Sequence, residues 1–197
     1  KTKNVFFEKP LSNNYRSGKK ILKAMSNKKN ILLGYNLRFL NILTKVKKNL
    51  NNYVGRVYSF DCESGSFLPE WRKINYKQSV SAQKKLGGGA LLELSHEMDY
   101  INWIFGTNYK MKSFFINSKI LNINVEDNVK IIFNFSNKIL GSLSLDFLNQ
   151  KKTRLMTING TKGSLKVDLI KNTLNLISKN QKSWVNIPFK KNTVKST

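Results

Sequence analysis

A single histidine, His96, stands in a segment whose residue types could carry acid–base chemistry. Glu93 and Asp99 lie at equal spacing before and after it, and a continuous helix would place all three on one face. A carboxylate beside an imidazole can orient the ring and raise its basicity, which suits a general base near neutral pH. The alternative is an ordinary helix surface with a chance histidine and solvated carboxylates. No metal is expected, because one histidine with two acids lacks the ligand set of a zinc centre.

Lys9 is the second candidate for chemistry. It follows a short apolar run, Asn4–Phe7, and Glu8 and Pro10 flank it. The run predicts a buried strand stopped by proline, and strand ends in α/β sheets face the ligand crevice. A lysine held there could stabilise a developing alkoxide or orient a substrate oxygen. The alternative is an exposed lysine at a strand end. The Lys9–Pro10 bond is a candidate cis peptide.

Strand and helix patterns alternate before residue 50. We predict strands at Asn4–Phe7 and Ile31–Tyr35. Ser12 is a plausible N-cap for a helix that continues to Met25, and a second helix is predicted over Leu40–Leu50. Strand, helix, strand, helix is typical of the end of a parallel α/β layer. Residues 1–50 are therefore predicted to be the remnant of an α/β domain.

The pattern changes after residue 50. Val54–Cys62 predicts a strand, Ser64–Leu86 a long loop that is functional or a lid, and Ala90–Phe105 a strong helix after three glycines. The remainder predicts only strands, at Lys112–Ile120, Asn128–Ser136, Ile139–Phe147, Thr153–Asn159, Ser164–Asp168, Thr173–Ile177 and Ser183–Ile187. Successive strands favour an antiparallel meander. Residues 51–197 are accordingly predicted to be an α+β domain.

The strong positive charge raises the question of nucleic acid or membrane as a partner. The net charge is +24, but only five of the 35 basic residues are arginine, which groove-reading surfaces favour. No specific nucleic acid is expected, and no apolar run has the length of a membrane span. The lone Cys62 forms no internal disulfide, so a cytoplasmic location is expected. Because the chain starts at Lys1 rather than Met, we expect it to begin partway through a longer protein.

Together these residues resemble the glucose–fructose oxidoreductase / inositol dehydrogenase (Gfo/Idh/MocA) family. The matching segments run in order through nearly the whole chain. They are Val5-Phe6-Phe7-Glu8-Lys9-Pro10-Leu11, Gly34-Tyr35-Asn36-Leu37-Arg38-Phe39, Gly55-Arg56-Val57, Gly87 to Asp99 with Tyr100, Trp103 and Gly106, Gly141-Ser142-Leu143, and Gly160 to Leu165. The lysine motif alone is weak, whereas the ordered set at these spacings is a strong signal.

The resemblance implies the tail of an amino-terminal Rossmann domain followed by an open, mostly antiparallel sheet with helices on one face, as in dihydrodipicolinate-reductase-like domains. It also implies hydride transfer with NAD or NADP to or from a carbon of a sugar, polyol or nucleotide-linked sugar. Lys9 would position the reacting oxygen and His96 would act as acid and base, with Glu93 beside them. The residues implied for the cofactor are Glu8, Lys9 and Pro10. Those implied for the substrate are Arg38, Arg72, Tyr76 and Asp99.

Two departures from the family pattern limit these expectations. The fingerprint Gly-x-Gly-x-x-Gly, which grips the pyrophosphate, is missing, so only the nicotinamide end is expected to be touched. The chain alone is therefore expected to be inactive. Glu93 stands one residue nearer the histidine than the family's aspartate, which leaves its role open. The alternative to an enzyme fragment is a non-catalytic sugar-binding or dimerisation module. A homo-oligomer through the open sheet is expected in either case.

Overall fold

The first unit of the protein is a small parallel layer. The computed structural model describes residues 4–27 and 30–192. Strands β1 (Asn4–Phe7) and β2 (Asn30–Leu33) pair in parallel, and helix α1 (Tyr15–Ala24) connects them. The predicted strand–helix–strand order is thus confirmed. The predicted cap is wrong: Asn14, not Ser12, caps α1, because its side chain accepts a hydrogen bond from the Ser17 amide at 2.9 Å.

Helix α2 (Asn41–Val54) follows a short 3₁₀ turn at Asn36–Phe39. Its apolar side chains recur at helical spacing and are buried, as is expected for a helix with one face on a core. These are Ile42, Leu43, Val46, Leu50 and Val54. The helix is longer than the predicted Leu40–Leu50. It ends at Gly55, whose positive φ of 73° suits glycine.

The second unit is built on one large sheet of eight strands. Its strands are β3 (Val57–Gly65), β4 (Tyr109–Ile116), β5 (Asn128–Phe135), β6 (Leu140–Asp146), β7 (Thr153–Gly160), β8 (Gly163–Asp168), β9 (Thr173–Ser178) and β10 (Val185–Asn186). Their spatial order is β10-β9-β8-β7-β3-β6-β5-β4. All neighbouring pairs are antiparallel except β3 and β6, which run parallel. The predicted open, mostly antiparallel sheet is confirmed.

Several predicted strand bounds are wrong; the strand predicted over Val54–Cys62, for example, lies at Val57–Gly65. The strand predicted to extend to Ile120 ends at Ile116, because the Asp127 carboxylate accepts hydrogen bonds from the amide and hydroxyl of Ser118 and Lys119 has a φ of 68°. The last strand shortens from Ser183–Ile187 to Val185–Asn186. The last two differences come from side-chain and turn geometry that hydrophobic alternation does not report.

The core lies on one face of the large sheet. Along β5 and β6 buried apolar residues alternate with more exposed ones, so a single face is covered. Helix α2 contacts β7, β8 and β9 on this sheet, although a boundary at residue 50 would place most of it in the first unit. Gly141 permits close packing here, because a Cβ at this position would lie 2.1 Å from the Phe60 ring. No helix within residues 4–27 and 30–192 is long and apolar enough to cross a membrane.

The helix predicted over Ala90–Phe105 is interrupted. The structure has α3 at Ala90–Glu93 and α4 at His96–Phe105, separated at Leu94–Ser95. Its first turn is set by Gly89, whose φ is 115° and whose missing Cβ leaves room for the Glu126 carboxylate. That carboxylate accepts a hydrogen bond from the Leu91 amide at 3.1 Å. Glu93 and Asp99 therefore lie on different helices, and one continuous face with His96 does not exist.

Candidate active site

Lys9 and His96 line the same cavity, which measures about 720 Å³. Lys9 follows β1 at the carboxyl end of the parallel pair, and His96 begins α4 on the core face of the large sheet. The Lys9–Pro10 peptide bond is cis, as predicted. Two residues far apart in the sequence are thus brought into one pocket by the packing of the two units. The convergence that the sequence pattern predicted is present in the structure.

The Lys9 ammonium is held by the interruption between α3 and α4. Lys9 Nζ donates a hydrogen bond to the Glu93 carbonyl oxygen at 2.8 Å. In a continuous helix that carbonyl would accept from the amide of residue 97. Here the Glu97 amide donates to the Leu94 carbonyl at 3.4 Å instead, so the Glu93 oxygen is available to lysine. The helix break thereby fixes the Lys9 side chain at the cavity wall.

The His96 ring is packed by Tyr35 and forms no hydrogen bond with a carboxylate in the described part of the chain. The two rings meet edge to face with centroids 5.5 Å apart. His96 Nδ1 is buried and has no hydrogen-bond partner among the described residues. Burial, with the positive charges of Lys9 and Arg154, lowers the pKa of His96 to about 4. The predicted rise in basicity from a neighbouring acid is therefore wrong, and the lowered pKa leaves His96 neutral at pH 7.

His96 is the only histidine, so its titration can be followed without ambiguity by NMR. We expect the imidazole signals of the folded chain to titrate with a midpoint near pH 4 and those of the urea-unfolded chain near the ordinary value. Because the folded pKa is depressed, the unfolded chain binds more protons between these values. The histidine's contribution to stability is therefore complete above about pH 6.5 and falls as the pH drops towards 4. A folded midpoint at or above the unfolded one would contradict this description of the site.

The carboxyl ends of β1 and β2 form one wall of the cavity. Glu8, Gly34 and Asn36 line it together with Lys9. Ligands of open α/β sheets bind outside the carboxyl ends of parallel strands, so this wall lies where such a fold binds its ligand. Gly34 keeps the wall close, because a Cβ there would lie 3.3 Å from both the Glu8 carboxylate and the Phe7 carbonyl.

The predicted substrate residues divide into two groups. Arg72 lines the cavity. Arg38 and Asp99 instead bind each other through two hydrogen bonds of 2.6 Å, and neither lines the cavity. Tyr76 donates to the Leu121 carbonyl at 2.9 Å and also lies outside it. The bidentate pair joins the turn after β2 to α4, so its evident effect is to hold the two units together.

The sequence prediction missed a group of polar residues at the start of β7. Gln150, Lys152 and Arg154 line the cavity opposite the strand ends. Arg154 lies in β7 in phase with the buried Met156 and Ile158, and Gln150 and Lys152 precede the strand at the same alternate spacing. Two basic residues in phase with a strand's buried face are an unusual pattern. That phase was the signal from which they could have been found.

The family model that matches the chain is that of the Gfo/Idh/MocA oxidoreductase family, C-terminal alpha/beta domain, over residues 47–193. The match covers most of the chain and agrees with the eight-stranded sheet and its covering helices. The protein therefore belongs to the Gfo/Idh/MocA oxidoreductase family, and the part of that family it contains is the carboxy-terminal domain.

Solved structures of similar fold come from the same class of enzymes. Levoglucosan dehydrogenase is 18% identical to this chain, with a TM-score of 0.79. The match covers 93% of this chain and 55% of the dehydrogenase chain. An NAD-binding oxidoreductase from Klebsiella pneumoniae is 17% identical with a TM-score of 0.77, and the match covers 93% of this chain and 53% of the oxidoreductase chain. The WlbA dehydrogenase from Chromobacterium violaceum, solved with NADH and UDP-GlcNAcA, is 24% identical with a TM-score of 0.72. The match covers 84% of this chain and 48% of the WlbA chain. The chain thus spans about half the length of these structures. No curated protein matches its sequence significantly.

Proposed function

We propose that the chain is the substrate-side part of a dehydrogenase that moves a hydride between NAD or NADP and a carbon of a sugar, polyol or nucleotide-linked sugar. The observation that carries this proposal is the meeting of Lys9 and His96 in one cavity beside the ends of β1 and β2. Family membership supports the reaction class. Matched structures with NADH and levoglucosan, or with NADH and UDP-GlcNAcA, support the substrate class.

The residues of this chain divide the work at the reacting carbon. A bound nicotinamide would supply or accept the hydride. Lys9 would donate a hydrogen bond to the reacting oxygen and stabilise negative charge as it develops there. His96, neutral at pH 7, would take the hydroxyl proton when the alcohol becomes a carbonyl, and would return it in the reverse direction. Glu8, which lines the cavity, would face the nicotinamide beside Lys9, whereas Pro10, also predicted for the cofactor, does not line the cavity.

The proposed full-length enzyme combines this chain with a nucleotide-binding domain. Matched dehydrogenases are nearly twice as long as the matched region, which supports that arrangement. We expect the full-length protein to change the absorbance of nicotinamide when it is given cyclic sugars or polyols, and the isolated chain to be inactive. Cofactor binding is measured separately by calorimetry. A full-length protein that binds NAD or NADP but turns over no sugar or polyol in a broad panel would refute the assignment.

We also propose that copies of the chain associate through the uncovered face of the large sheet. Exposed apolar side chains on adjacent strands support this proposal, since such patches are rare on monomers. They are Phe114, Ile116, Ile132 and Leu140. Sedimentation of the purified protein should show a dimer or larger, which Ile132→Lys should weaken. A monomer at micromolar concentration would contradict it.

Arg38, Tyr76 and Asp99 lie outside the cavity, so a role in substrate binding would require the cavity to rearrange when the sugar binds.

A further inference from the structure

One wall of the cavity is basic and built on a rigid element. Arg154 lies in β7, an inner strand paired with β3 and β8, and lines the cavity. Lys152 lines the cavity from the residue just before this strand begins. The position of Arg154 is therefore set by the sheet rather than by a loop, as a recognition site requires.

Arg154 is held in place by a buried acid. Its Nε lies 2.8 Å from Oε1 of Glu97, a residue of α4 with no exposed surface. Neither oxygen of Glu97 has a well-directed hydrogen bond among the described residues, so the contact is an ion pair rather than a satisfied network. Burial raises the pKa of Glu97, which shows the cost of the arrangement. A buried ion pair adds little stability over an apolar pair, so stability alone does not explain why this pair is present.

The terminal nitrogens of the Arg154 guanidinium are available to bind a ligand. The Glu97 contact uses Nε, and neither terminal nitrogen of Arg154 has an acceptor among the described residues. The side chain is only 18% exposed, yet it lines the cavity. A guanidinium fixed in this way presents two parallel N–H donors, the geometry that matches the two oxygens of a carboxylate or phosphate.

We infer that the substrate of this cavity is an acidic sugar, whose carboxylate or phosphate is bound by Arg154 with help from Lys152. The inference rests on the proposed function only in taking a sugar as the ligand. Glu8, Glu70 and Glu93 line other parts of the cavity and can accept hydrogen bonds from sugar hydroxyls. The strong positive charge of the whole chain would also attract an anionic ligand.

The titration of His96 gives a direct readout of anion binding. The charge of Arg154 contributes to the low pKa of His96, so an anion bound at Arg154 should raise that pKa. The probes are a neutral hexose, the corresponding hexuronate and the corresponding hexose phosphate, each added to the full chain. We expect at least one acidic sugar to bind about tenfold or more tightly than the neutral one and to raise the His96 midpoint.

Charge-removing variants localise the effect. Arg154→Gln should lower the affinity for the acidic sugar about tenfold or more while changing that for the neutral sugar little. Lys152→Gln, at an exposed position, should cost about two- to fivefold. The matched control is Lys151→Gln, the adjacent exposed lysine outside the cavity, which should bind like the original. If Arg154→Gln fails to fold by circular dichroism, Arg154→Lys and Lys152→Gln still test the site.

The outcomes separate this inference from the proposed reaction. Preference for the uronate identifies a carboxylate as the group, and preference for the sugar phosphate identifies a phosphate. Equal binding of neutral and acidic sugars, or acidic-sugar binding that Arg154→Gln leaves unchanged, overturns the inference, and so does failure of every acidic probe to bind. Binding is measured without turnover, so an acidic sugar that binds here but is not turned over by the full-length protein would contradict the proposed function alone.

Discussion

Replacing His96 with asparagine is expected to reduce the turnover of the full-length enzyme about 10²- to 10⁴-fold, the usual contribution of a positioned general base. Asparagine retains polarity at the position but cannot accept the hydroxyl proton. The Michaelis constant should change much less, because the ring is proposed to act in the chemical step. Steady-state kinetics over a range of sugar concentrations separates the two effects.

The control for the His96 variant is chemical rescue. Free imidazole should restore part of the lost turnover in His96→Asn and leave the original enzyme unaffected, since the small molecule can occupy the vacated site. The pH dependence that His96 causes should also disappear from the residual rate. Turnover within about threefold of the original enzyme would contradict a role in proton transfer.

Replacing Lys9 with methionine is expected to lower turnover about 10²- to 10³-fold, comparable to the removal of one oxyanion donor. Methionine keeps the length and apolar body of the side chain but removes the ammonium that bonds to the Glu93 carbonyl. Because the charge of Lys9 helps to lower the pKa of His96, the same substitution should raise the His96 midpoint. Steady-state kinetics measures the loss of turnover, and NMR titration of His96 independently measures the loss of the Lys9 charge.

The matched control is Lys20→Met, an exposed lysine on α1. It makes the same chemical change away from the cavity and should alter neither turnover nor the His96 midpoint. If Lys9→Met changed neither quantity more than Lys20→Met does, the lysine would be an ordinary surface residue.

Much of the fold follows from local sequence pattern. Buried residues of β5 and β6 alternate with period two, and those of α2 recur with the helical period, so both kinds of element were predictable. The interruption between α3 and α4 was not, because Leu94 and Ser95 carry no breaker signal. The carbonyl that the interruption leaves free accepts a hydrogen bond from Lys9, a residue far away in the chain. Propensity over a short window contains no information about such a contact.

The candidate site was predictable only in part. The family motif identifies Lys9 and His96, and the structure brings them into one cavity. Arg38 and Asp99 were predicted substrate residues because of the family resemblance, yet their side chains bind each other. The Arg154–Glu97 pair was missed because its two members come from different elements and meet only when α4 packs on the sheet. Pairing of distant charges is a property of the assembled fold.

The most direct test is a crystal structure of the full-length protein with a reduced nicotinamide cofactor and a bound sugar. It should place one sugar oxygen within about 3.2 Å of both Lys9 Nζ and a ring nitrogen of His96, on the carbon that faces the nicotinamide. A sugar bound with its reacting carbon away from these two groups, or a cofactor whose nicotinamide lies outside this cavity, would contradict the proposed catalytic site.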